Sequence, residues 1–227
     1  TKFADPFFWF NFLYFFVAVF VAFYIPGSLF LKKLKLSVFQ ELVLGIVVGM
    51  VLWGWQGAIF GYLGFRQLSY LYLFLMVLLW LNLAIKQKNA VPHIKKLLKE
   101  KIDWLLLFLI LLGTLIQVGR VWFTGVLYQD GIFFCCGNES DALFHAALTR
   151  QIIEQFPPFQ PGMHGEVVHN YHYWSNLVVA ELIRVFKLPL LATQFQYAMV
   201  FVSLFLGLTV VVFGNIPHDR QNKYYSV

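Results

Sequence analysis

The stretch Phe7–Leu31, FFWFNFLYFFVAVFVAFYIPGSLFL, runs through 25 residues without one charge, and its reading decides the fold class. A helix rises about 1.5 Å per residue and a bilayer's hydrocarbon core is about 30 Å thick, so about 20 apolar residues span it. Four further segments pass the same test: Leu42–Phe65, Gln67–Ile85, Trp104–Gly119 and, within Leu188–Pro217, Thr193–Phe213. The fourth continues past Arg120 if that side chain snorkels to the interface. In lipid an unpaired backbone amide is costly, so the spans are expected to be helices.

The composition agrees. Of 227 residues, 60% are apolar, 19% aromatic and only 12% charged. Soluble domains carry about 25% charged residues, and the deficit excludes disorder, collagen-like repeats and coiled coils. The adjacent pair Cys135-Cys136 is no disulfide framework and fits no metal spacing. The expected fold is therefore an all-α membrane protein of about five transmembrane helices, with a long outward loop containing interfacial amphipathic helices. Residues 1–118 form a four-helix bundle, 119–190 the loop, and 191–227 a fifth helix with a polar tail.

Five crossings sort the net charge of +6 by side. Lys32, Lys33, Lys35, the six lysines from Lys86 to Lys101, Arg220 and Lys223 fall on one side. Lys2, Arg66, Arg120, Arg150, Arg184 and Lys187 fall on the other, the last four in or beside the long loop. The positive-inside rule makes the lysine-rich side cytoplasmic and residues 119–190 extracytoplasmic, as in a cell-envelope protein. The lysine run reads as a solvated connection that also meets anionic headgroups, not as a nucleic-acid site. Gly45, Gly49, Gly57 and Gly61 share a stripe of the second span with Trp53, as close helix packing requires. No span interior holds a His, Asp, Glu or Lys, which argues against a transporter or a pigment-binding subunit.

Reactive side chains concentrate in the loop: six of eleven acidic residues and four of six histidines lie between Gly119 and Leu190. Residues 138–154 read as a helix capped by Asn138 or Ser140 and stopped by Pro157-Pro158, with Asp141, His145 and Thr149 on one face. It is expected to lie on the membrane. Asp141 and His145 serve either as plain helix-start and water-facing residues or as an acid–base pair. A second helix follows over Ser175–Phe186, preceded by Tyr171-His172-Tyr173-Trp174. That aromatic group fits an interface belt or a platform for carbohydrate or lipid headgroups. The spacing of His145, His164, His169 and His172 matches no familiar zinc pattern.

The loop motif Asp141-x-x-x-His145-x-Ala147, followed by helix, proline-rich turn and the cluster Tyr171–Trp174, resembles the polytopic glycosyltransferases of the GT-C superfamily. So do Tyr24-Ile25-Pro26-Gly27-Ser28 with its trailing lysines and the Gly-rich second span. The resemblance covers residues 20–190 and implies the N-terminal, catalytic portion of an enzyme using a polyprenyl-phosphate-linked sugar. It implies that Asp141, or the neighbouring Glu139, acts as general base on the acceptor hydroxyl or helps hold a divalent cation. His145 would orient Asp141 or donate to the phosphate, and Arg150, Arg120 and Arg184 would neutralise the leaving lipid phosphate. Tyr171, His172, Tyr173 and Trp174 would contact substrate. The rival reading is a non-catalytic structural subunit of a larger membrane assembly, docking to other subunits through the loop.

Overall fold

The computed structural model describes residues 2–34, 36–87, 104–135, 139–163 and 165–214. Most of the lysine-rich connection, the polar tail, Asn138 and His164 lie outside these residues. Among the described residues, five helices are long and apolar enough to cross a membrane: α1 (Pro6–Leu31), α2 (Val38–Tyr62), α3 (Leu68–Gln87), α4 (Trp104–Val121) and the last, α7 (Leu190–Val212). Between α4 and α7 lie a two-stranded antiparallel hairpin, β1 (Val126–Tyr128) and β2 (Gly131–Phe133), then α5 (Glu139–Glu154) and α6 (Trp174–Phe186). The protein is thus an all-α, multi-pass integral membrane protein with one small hairpin.

Helix ends follow capping chemistry more closely than apolar windows do. Asp5 caps α1 by accepting from the Phe7 amide at 2.9 Å, with Pro6 in the first turn. Helix α2 starts at Val38 rather than Leu42 because Ser37 and Gln40 form a reciprocal capping box. It ends at Tyr62 rather than Phe65, since Gly64 takes a left-handed φ of 73° that turns the chain into α3. Helix α4 does continue through Arg120.

The glycine stripe of α2 divides its work between α1 and the loop. Its N-terminal half meets α1 backbone to backbone: a Cβ at Gly49 would strike the Phe23 carbonyl, and one at Gly27 that of Gly45. The other half receives α6, where a Cβ at Gly54 would strike the Trp174 ring and one at Gly57 the Glu181 side chain. Trp53, fully buried, donates from Nε1 to the Val178 carbonyl at 3.3 Å across the same contact. Tyr197 of α7 donates to the Phe8 carbonyl at 2.8 Å, joining first and last spans.

Helix α6 is seated deeply, with Asn176, Leu177, Val178, Ala180–Ile183 and Val185 all buried. Helix α5 covers it with Leu148, Thr149 and Ile152, packs Ala142 and Ala146 with Phe195 of α7, and leaves Asp141, Leu143 and Arg150 exposed. The loop helices, the α2–α3 turn, the chain start and the C-terminal end of α4 gather at one end of the bundle. Arg66 in that turn donates to the Ile153 carbonyl of α5, and Phe3 stacks on Trp122 with ring centroids 5.4 Å apart.

Candidate functional site

Two side-chain groups hold the loop helices together. The first joins α5 to α6 through Asn176, which is 4% exposed. Its Nδ2 donates to the His145 carbonyl at 3.1 Å and to Thr149 Oγ1 at 2.9 Å, while its Oδ1 lies 3.1 Å from His145 Nδ1. Asn176 reaches this position because it sits in the first turn of α6, facing Thr149 of α5. Asp141 stands one helical turn before His145, at the exposed start of α5. The imidazole is therefore tied through Nδ1 to Asn176.

Glu139 opens α5. Arg150, exposed, pairs with Glu154 of its own helix at 2.7 Å, a surface pair of little energetic weight. Arg120 is exposed in the last turn of α4. Arg184 departs from expectation: its guanidinium turns inward, with its side chain only 12% exposed, and is not an outward cation awaiting a phosphate.

The second group explains why. Glu181, fully buried in α6, receives Arg184 on both carboxylate oxygens and also Arg66 from the α2–α3 turn. Arg184 donates further to the Arg66 carbonyl at 3.1 Å and to Ser69 Oγ at 2.8 Å. One carboxylate thus fastens α6, α3 and the turn between α2 and α3. Burying it is tolerable because both guanidiniums compensate it and its lone pairs are filled.

The aromatic cluster splits. Tyr171 stacks on His172 at 5.0 Å, meets Phe144 edge-on at 5.3 Å and lies 6.3 Å from the His145 ring. Tyr173 and Trp174 turn the other way, toward α2: Tyr173 hydrogen-bonds with Tyr62, and Trp174 covers Gly54 while staying 41% exposed. Burial, and secondarily the Tyr62 contact, push the Tyr173 phenol up to about 12. Tyr171 therefore accompanies His145, with His172 stacked on it, and Tyr173 and Trp174 serve as the seam between loop and span.

Among the described residues, no three His, Cys, Asp or Glu side chains converge on a common point where a cation would be held. Cys135 is disulfide-bonded, which the adjacent cysteine pair did not lead us to expect. Residues that sequence reasoning missed, Asn176, Glu181, Arg66 and Ser69, left a faint trace. Glu181 and Arg184 are the charges of an otherwise uncharged helix, and Arg66 is the charge between two uncharged spans.

The resulting site is a solvent-facing carboxylate and an anchored imidazole on one helix, flanked by a tyrosine–histidine stack at one end of a membrane bundle. Compared with protein-family models, curated proteins and solved structures, the chain matches none.

Proposed function

We propose that this protein acts as a membrane glycosyltransferase of the GT-C type, moving a sugar from a polyprenyl-phosphate donor to an acceptor hydroxyl on the extracytoplasmic face. One observation carries the reading: Asp141 and His145 present a carboxylate and an imidazole one turn apart on a helix that α6 holds rigidly against the spans. Such a pair suits removal of a hydroxyl proton in the transition state, which needs a base within hydrogen-bond reach held in fixed geometry. A membrane-embedded donor brings its reacting carbon to the level of the interface, where this end of the bundle lies. Arg120 and Arg150, the latter paired with Glu154, are exposed cations for the leaving phosphate. Tyr171 and His172 offer a flat stacked face suited to a sugar ring.

The test is transfer of label from a panel of radiolabelled polyprenyl-phosphate hexoses by wild type, Asp141→Asn and Asp141→Ala. Loss of about 100-fold or more in both variants is expected. Full activity in both removes Asp141 from the chemistry.

A structural-subunit reading draws on a different observation: α4 has no buried residue and rests chiefly along α7, so most of its apolar surface faces outward. That reading expects partner proteins to copurify with the chain and transfer to be absent.

A further inference from the structure

Asn176 lies between α5 and α6, and its amide is oriented by an unambiguous neighbour. The His145 backbone oxygen can only accept, so the group 3.1 Å from it must be the amide nitrogen. The same NH2 donates to Thr149 Oγ1 at 2.9 Å. Oδ1 is thereby turned to His145 Nδ1 at 3.1 Å, and an amide oxygen can only accept. The contact is a hydrogen bond only if Nδ1 carries the proton. In the neutral ring Nε2 then holds the lone pair.

We infer that Asn176 locks His145 in its Nδ1–H form, making Nε2 the proton acceptor of the site and Asn176 its positioning residue. The inference rests on the transferase reading above and refines it. His145 Nε2 takes the proton of the acceptor hydroxyl as that oxygen bonds to the anomeric carbon of the donor sugar. The bond from the anomeric carbon to the phosphate oxygen breaks, and polyprenyl phosphate leaves with the electron pair. The imidazolium, still donating through Nδ1 to Asn176, then releases its Nε2 proton to water. Asp141, a turn away on the same face, stabilises the positive charge while it lasts. An ordinary solvated imidazole favours the Nε2–H form, which would present a donor where a base is needed. The buried amide reverses that preference.

The test combines a proton location with a rate. Protein labelled with ¹⁵N-histidine in nanodiscs, at about pH 8.5 where imidazoles are neutral, is compared with His145→Gln to assign the His145 nitrogens. Nδ1 is expected protonated and Nε2 bare in wild type. Asn176→Leu is expected to move the proton to Nε2. With the donor panel, His145→Gln should lower kcat about 100-fold, and Asn176→Leu should lower kcat with KM little changed. Nε2–H in the wild type overturns the inference whatever is transferred, and so does full activity of His145→Gln. A wild type that transfers no sugar yet shows Nδ1–H overturns the transferase reading and upholds the proton placement.

Discussion

Replacing Glu181 by Leu removes the one carboxylate between Arg66 and Arg184 and leaves two guanidiniums facing each other, their side chains 15% and 12% exposed. Four hydrogen bonds to the carboxylate disappear, from Arg66, from Ser69 and two from Arg184. Breaking a buried ion pair from one side costs about 3–5 kcal/mol, because the remaining charge stays desolvated. In a chain of this size that lowers Tm by about 6–20 °C. Tryptophan fluorescence during thermal unfolding in nanodiscs reads the effect, since Trp53 donates to Val178 of α6 and reports its undocking. Glu181→Gln keeps one acceptor oxygen and should lose less. The triple change Arg66→Met, Glu181→Leu, Arg184→Met removes every charge together and should recover most of the loss. A Glu181→Leu shift below about 2 °C, or a triple variant as unstable as the single, refutes the argument that charge compensation holds α6 to the α2–α3 turn.

Gly49→Ala should prevent the α1–α2 contact, because its methyl meets the Phe23 backbone and no side chain can move aside. Gly113→Ala on α4 meets nothing within 4 Å and should be neutral; monodispersity by size-exclusion chromatography separates them. The Tyr173 phenol, raised to about 12, stays protonated in the folded protein while the unfolded chain ionises from about pH 10. Stability should therefore fall as pH rises from about 10 to 12, and Tyr173→Phe should flatten that part of the curve, read by tyrosinate absorbance and by Tm. In intact cells carrying a variant without native cysteines, Met163→Cys should react with an impermeant maleimide and Lys33→Cys only after permeabilisation. The reverse pattern would remove the extracytoplasmic reaction from consideration.

The fold class was legible because its cause is local. Uncharged runs the length of a bilayer leave no other place for the chain, and each of the five expected spans corresponds to a helix displaced by a few residues at most. The displacements arise where capping, as at Ser37 and Gln40, or a left-handed glycine, as at Gly64, sets the end rather than hydropathy. The glycine stripe announced close packing as a pattern, but a pattern on one helix does not name its partners. That Gly45 and Gly49 meet α1 while Gly57 meets α6 and Gly61 meets Phe156 depends on how the loop folds back into the bundle.

At the site the division is sharper. Side-chain type and spacing put Asp141, His145 and Thr149 on one helical face, since i, i+4 geometry needs nothing beyond the helix itself. What each of these side chains binds was decided by residues distant in the chain. Asn176 is 31 positions from His145 and takes its Nδ1, and Arg66, 115 positions from Glu181, draws Glu181 and Arg184 inward and away from any phosphate. Hydrophobicity and periodicity act along the chain and can be read from it. Hydrogen-bond partnership and charge compensation act across space, and only the packing of α5 on α6 against the α2–α3 turn fixes them.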